Sequence, residues 1–229
     1  MEQSEFDAFA EEYERLHSQN IRLSGEAPEY FAQQKARMAA ALVAGALPRQ
    51  RILDFGTGVG NSIEPLKAQF PSAHIEGIDV SQRSLEIATA RFPSLATFRH
   101  FDGATIPFEN ASFGLAFAAC VFHHIDSREH VALIRELRRI LAPGGWLTIF
   151  EHNPFNPLTR HAVSTCEFDR NARLLTAGNL KAVVRQAGFS DVWAKYSVFF
   201  PAALRALRPL EARMGWLPLG AQYCVVARA

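Results

Sequence analysis

Little in this chain is in excess. Its 229 residues include 24 Lys and Arg against 23 Asp and Glu, a formal net charge of +1. A balance this even excludes a protein that grips a phosphate backbone over a wide basic face. Cysteine is scarce: Cys120, Cys166 and Cys224 are widely spaced and form no C-x-x-C pair. That excludes a disulfide scaffold and points to a reducing compartment, so a cytoplasmic location is expected. Met1 to Tyr13 is acidic, with no basic run leading into an apolar one, and no secretory leader is expected. The longest apolar runs, Met38–Leu47 and Gly114–Phe122, reach only half of the roughly 20 residues that a membrane span needs. No repeat or low-complexity tract is present. What remains is ordinary for a globule with a buried core, 48% hydrophobic and 21% charged, and of a length that suits one domain.

Short apolar runs alternate with helical periodicity. Arg51–Phe55, His74–Val80, Thr97–Phe101, Phe113–Cys120 and Gly145–Glu151 are short, apolar and bounded by Gly, Pro, Asp or Ser, which predicts buried strands. Between them, Ser81 is placed to cap a helix bearing Leu85, Ala88 and Phe92. Asp126 with Glu129 reads as a capping box for a helix with Val131, Ile134, Leu137 and Leu141 on one stripe, stopped by Pro143-Gly144-Gly145. Strand–helix alternation implies an α/β fold with a mostly parallel sheet. Asn153-Pro154-Phe155-Asn156-Pro157 continues neither strand nor helix, and the stretch onward to Leu175 is long for a connection, which suggests a functional loop or helical cap. Thr176–Gly188 reads as a helix. Asp191–Phe200 and Ala221–Ala227 read as an antiparallel strand pair, and Ala202–Met214 between them as a helical stretch broken at Pro209. The forty-odd residues before the first strand read as helical.

Ile52-Leu53-Asp54-Phe55-Gly56-Thr57-Gly58-Val59-Gly60-Asn61 is a buried strand running into a glycine turn and a helix. Glycines let a ligand touch the backbone, and a helix start offers free amides to an anion. Ligands on open parallel sheets bind beyond the carboxyl ends of the strands, where this turn sits. A nicotinamide fingerprint, G-x-G-x-x-G, needs a third glycine where Asn61 stands. The spacing here is G-x-G-x-G, with Asp54 before it. The next strand ends in Asp79, placed to accept hydrogen bonds from ribose hydroxyls. The third ends in Asp102-Gly103, where a carboxylate can accept an adenine amino proton.

These stretches, with IEGIDVS (75–81), HFDGATIPFENASFGLAF (100–117) and LRRILAPGGWLTIF (137–150), resemble the class I S-adenosylmethionine-dependent methyltransferases, in particular a bacterial small-molecule branch. The resemblance covers about 100 residues in the family's order. It implies a Rossmann-like, doubly wound, seven-stranded, mostly parallel sheet with one antiparallel strand and a helical and loop cap. The expected organisation is a single methyltransferase domain over 1–229, with a helical segment at 1–48 and substrate-cap insertions at 152–175 and 201–219. It also implies S-adenosylmethionine as cofactor and S-adenosylhomocysteine as product. Asp54, Gly56, Gly58 and Gly60 would hold the methionine end, Asp79 and Val80 the ribose, and Asp102 with Gly103 the adenine. Phe6-Asp7-x-x-Ala10-x-x-Tyr13 looks like the family's N-terminal helix, with Tyr13 as a cofactor contact.

An in-line methyl displacement asks chiefly for alignment and a dry site, and alignment can supply about 7–11 kcal/mol. Groups able to take a proton stand after the fourth and fifth strands: His124, with His123 beside it, and Glu151 with His152. Glu151, His152 and His124 are the expected catalytic groups. Cys166 is not expected as a nucleophile, since methyl transfer needs no covalent enzyme intermediate. No metal is expected, because adjacent histidines on one strand point to opposite faces and H-E-x-x-H is absent. The Asn/Asp-Pro-Pro-Tyr/Phe motif of amide and base methylation is missing at Ala118–Val121, and no basic aromatic-interleaved tract supports nucleic acid. A small-molecule acceptor with an O, N or C nucleophile is expected, and the chain is expected to be a monomer or homodimer. Two further readings stay open: a catalytically silent cofactor-binding regulator and a nicotinamide-dependent oxidoreductase.

Overall fold

In a computed structural model, residues 21, 24–43, 47–167 and 169–229 are described. The elements in chain order are α1 (Pro28–Leu42), β1 (Arg51–Phe55), α2 (Ile63–Gln69), β2 (His74–Asp79), α3 (Gln82–Arg91), β3 (Ala96–His100), β4 (Phe113–Ala119), α4 (His130–Ile140), β5 (Leu141–His152), α5 (Pro157–Ser164), α6 (Ala177–Gln186), β6 (Asp191–Ser197) and β7 (Gln222–Arg228). Two 3-10 stretches, Phe122–His124 and Ala202–Arg213, complete the order. The seven strands form one sheet in the order β3-β2-β1-β4-β5-β7-β6. The pairs among β1 to β5 are parallel, and β7 runs antiparallel to both β5 and β6. This is the expected Rossmann-like sheet with one reversed strand.

The strands are apolar on both faces because helices cover both. Leu53 and Phe55 point into a cluster with Leu133, Leu137, Leu180 and Val184 of α4 and α6. Ile52 points the other way, with Ala36, Ala39, Ile63 and Leu66 of α1 and α2. Because β2 leaves β1 on one side and β4 lies on the other, the sheet order reverses at β1. A crevice opens there beyond the carboxyl ends of the strands.

Local signals held in part. Ser81 caps α3 by accepting from the Ser84 amide, and Thr176 and Asn156 cap α6 and α5 in the same way. Asp126 does not cap α4: its carboxylate accepts from the Arg128 amide and guanidinium, and Glu129 precedes the helix with no side-chain cap bond. The face α4 buries runs through His130, Leu133, Ile134, Leu137 and Ile140 rather than Val131. Leu141 already belongs to β5, which absorbs Pro143–Gly145 through a register shift against β4 instead of starting after a turn. The stretch at 202–213 departs from helical geometry at Leu204, not at Pro209. The helix after the glycine turn begins only at Ile63, so the turn runs longer than the sequence suggested.

The two expected insertions are tied to each other. Asn153 is buried and its side-chain amide donates to the Pro218 and Gly220 carbonyls. Asn156 donates to the Leu219 carbonyl, and the Thr159 hydroxyl to that of Ala221. Tyr223 donates to the Leu175 carbonyl at 2.7 Å, holding the far end of the 152–175 segment against the sheet.

Candidate functional site

The glycine turn hangs from the end of β2: the amides of Gly56 and Thr57 both donate to the Ile78 carbonyl. Gly56 has φ +71°, and a Cβ there would lie 2.5 Å from a methyl of Val121, two residues past the β4 end. Only glycine lets the turn and the segment after β4 close to this distance. Gly58 (φ +53°) is the opposite case, since a Cβ there would meet nothing within 4 Å. The space in front of it is open, as a ligand cradle requires.

Two carboxylates share this turn. Asp54 is buried and accepts from the Thr57 hydroxyl at 2.7 Å. Burial pushes its pKa up to about 7 from 3.8, against the lowering bond from Thr57, and the nearby Asp79 charge adds to the rise. Asp79 accepts from the Gly58 amide at 2.8 Å with one oxygen and from the Ser81 amide at 2.9 Å with the other. Two acids beside open space disfavour each other, and a cation with hydroxyl groups relieves that. A sulfonium nucleoside with an amino-acid tail has this chemistry, so the residues fit S-adenosylmethionine. Val80 is buried, and a Cβ on Gly103 would be 3.9 Å from its methyl, so the ends of β2 and β3 stand together. Asp102 is exposed. Its Oδ1 accepts from the amides of Ala104 and Thr105, bonds that hold its pKa below the usual carboxylate range. Tyr13 lies outside the described residues.

A second cluster stands beyond β4 and β5. Glu151 is fully buried, accepts from the Phe122 amide at 2.8 Å and lies 2.5 Å from His123 Nδ1. Its carboxylate is thus closed off from the surface and engaged with the Phe122 amide and the His123 ring. Burial works against its charge, yet the imidazoles of His123 and His152 and the Phe122 amide hold its pKa down. His123 is pulled down by burial and raised by Glu151 and Asp169, with a net rise. His124 is held low, chiefly by burial. His152, half-buried, shares a hydrogen bond with Cys120, and its ring centroid is 5.2 Å from that of His123. Cys120 has φ +61°, a conformation a non-glycine residue adopts only under constraint.

The two histidines do not diverge. They sit on a 3-10 turn rather than on a strand, their ring centroids are 4.1 Å apart, and both Nε2 atoms face Asp169. The expectation that adjacent histidines cannot converge is thus corrected by the turn. His130 spends its Nε2 on the Phe122 and Ile125 carbonyls, and Asp126 belongs to Arg128, so neither joins them. Sequence reasoning missed Asp169 and Cys120. The unusual length of the connection carrying Asp169 was the available signal.

Residues 52–145 match the family described as methyltransferase domain. Trans-aconitate 2-methyltransferase of Methylobacterium nodulans is 34% identical over 170 residues, 71% of this chain and 63% of that protein. The 27-O-demethylrifamycin SV methyltransferase of Amycolatopsis mediterranei is 29% identical, over 63% of this chain and 55% of its own length. Demethylmenaquinone methyltransferase of Thermotoga maritima is 36% identical over 47% of this chain and 45% of its own length. The chain therefore spans about half to three-fifths of the curated relatives it matches. Among solved structures, an S-adenosylmethionine-dependent methyltransferase from Thermotoga maritima superposes with a TM-score of 0.69 at 22% identity, covering 99% of both chains. One from Archaeoglobus fulgidus gives 0.66 at 14% identity, over 89% of this chain and 95% of that one. These two share the fold.

Asp54 makes a prediction about pH. A carboxyl at about 7 when folded and 3.8 when unfolded holds an extra proton in the folded state between those values. Its contribution to stability therefore falls as pH rises from about 4 to about 7 and is flat above. The full displacement is worth on the order of 4 kcal/mol. In Asp54→Asn that slope is absent, so its thermal midpoint gains on the wild type between pH 5 and pH 8 in circular dichroism melts. Parallel profiles would contradict the burial of an uncompensated charge.

Proposed function

We propose that the chain, which resembles the class I S-adenosylmethionine-dependent methyltransferases, moves a methyl group from S-adenosylmethionine to a small-molecule acceptor. The observation that carries this reading is the pair of acids around an open glycine turn, joined through Gly56 and Val121 to a histidine-lined turn. When bound, the cofactor supplies a methyl group already activated on a sulfonium sulfur. The chain's own work is to hold, orient and dry the site. In this reading Asp54 and the open face of Gly58, in a turn whose close packing Gly56 and Gly60 permit, take the amino-acid end. Asp79 and Val80 take the ribose. Gly103 and Asp102 stand at the adenine end, where the second oxygen of Asp102 serves, since its first already caps its own turn.

On the acceptor side, Glu151 fixes the His123 ring, and His152 and His124 are the less buried imidazoles. A set of imidazoles suits an acceptor that must lose a proton, such as a hydroxyl, an amine or an acidic carbon, more than a carboxylate already ionised. The tied segments 152–175 and 201–219 form the cover over that end, within one domain. No helix among the described residues is long and apolar enough to cross a membrane.

Asp79→Ala is expected to weaken S-adenosylhomocysteine binding by about 10- to 100-fold in calorimetry, the worth of hydrogen bonds to a charged group. Because Asp79 also holds Gly58 and Ser81, a lower melting point accompanies the loss. Unchanged affinity would remove Asp79 from the site. Incubation with methyl-labelled S-adenosylmethionine and metabolite extracts should give labelled small molecules by mass spectrometry, and His152→Ala should slow labelling by about 10²-fold or more while S-adenosylhomocysteine affinity holds. No label, with stabilisation by NADH instead, would overturn the reading.

A further inference from the structure

The histidines and the aspartate gathered after β4 stand further apart than close charge-assisted partners do. His123 Nε2 lies 3.6 Å and His124 Nε2 lies 3.4 Å from the same atom, Asp169 Oδ1. Each of the three residues offers a ligand atom, all within 4.8 Å of one another. A charge-assisted hydrogen bond between such groups closes to about 2.7–2.9 Å. Ligands held about 2.1 Å from a common centre at tetrahedral angles are about 3.4 Å apart. We propose that His123, His124 and Asp169 bind a divalent transition metal, Zn²⁺ by ligand chemistry, with the remaining coordination position open.

Several independent features support the site. His123 Nδ1 is fixed by Glu151 Oε2 at 2.5 Å, so its Nε2 is the nitrogen presented to Asp169. A buried carboxylate behind an imidazole is the arrangement that orients metal-ligating histidines. Glu151 is in turn pinned by the Phe122 amide. The loop carrying Asp169 is anchored at the same place, since the Arg173 amide donates to the His123 carbonyl at 2.8 Å. Asp169 also lines a surface hollow with Arg160, Ser164, Cys166 and Arg170, so the carboxylate of the cluster reaches the surface. Three protein ligands with a vacancy describe a site that takes a further oxygen or nitrogen, unlike a closed structural site. The metal would hold and acidify the acceptor's heteroatom, which deepens the methyl-transfer reading above and rests on it for its purpose. The binding of metal does not rest on it.

The test uses the full chain stripped with a chelator and titrated with metal alone, without methyl donor or acceptor. One Co²⁺ per chain is expected, with the intense visible absorption of a four-coordinate site, displaced by one Zn²⁺ in calorimetry. His124→Ala and Asp169→Asn should each weaken Zn²⁺ binding by more than 10-fold, and melting curves report that both remain folded. Absence of stoichiometric binding, or binding that both variants retain in full, would overturn the proposal and leave the cluster a histidine–aspartate hydrogen-bond network. Failure of methyl transfer itself would show separately, as loss of S-adenosylhomocysteine binding with metal binding intact.

Discussion

The architecture of this site depends on two acidic side chains converging on a turn in which every second residue is glycine. Asp54 is carried there by β1, the strand at which the sheet order reverses, and Asp79 by the adjacent β2. Asp79 fastens the turn directly, through the Gly58 amide. Gly56 brings the same turn against Val121, so what lies beyond β4 is set by how closely the backbone can approach. The folded chain carries an electrostatic cost here, visible in the raised pKa of Asp54. Sites that bind a charged ligand commonly hold such a cost, because the ligand is what relieves it.

The cluster beyond β4 and β5 is organised by one buried carboxylate. Glu151 sits on the β5 register opposite Tyr223 and reaches across to the 3-10 turn after β4. Asp169 comes from a loop held at Leu175, whose carbonyl accepts from the Tyr223 hydroxyl, and at Arg173, whose amide donates to the His123 carbonyl. The chain thus assembles three separate stretches into one cluster, tied together by hydrogen bonds to main-chain atoms. Rigid support of this kind is what positions reactive groups to the tolerance that in-line transfer demands.

Much of this was legible in the sequence because it is local. The strand–helix alternation, the G-x-G-x-G turn, the acid at the end of β2 and the reversed pair at the C-terminal end all follow from short patterns. Ser81 and Thr176 cap their helices as composition suggests. The misreadings are equally physical. Asp126 had a nearer partner in Arg128 than any helix amide, and Pro143-Gly144-Gly145 found a bulge within β5 where a turn was expected. The histidine pair was read with strand geometry, but a 3-10 turn rotates neighbouring side chains by about 120° instead of 180°, so His123 and His124 can share Asp169. Asp169 itself could not be paired with them, since no local pattern spans the distance in sequence between them.

The central claim is that a cationic nucleoside occupies the crevice between Asp54, Asp79 and the glycine turn. A crystal structure of the chain with S-adenosylhomocysteine tests it most directly. The account predicts the amino-acid end against the Gly56–Gly60 turn and the ribose hydroxyls on the Asp79 carboxylate. Density for the ligand elsewhere, with this crevice holding only water, would contradict it.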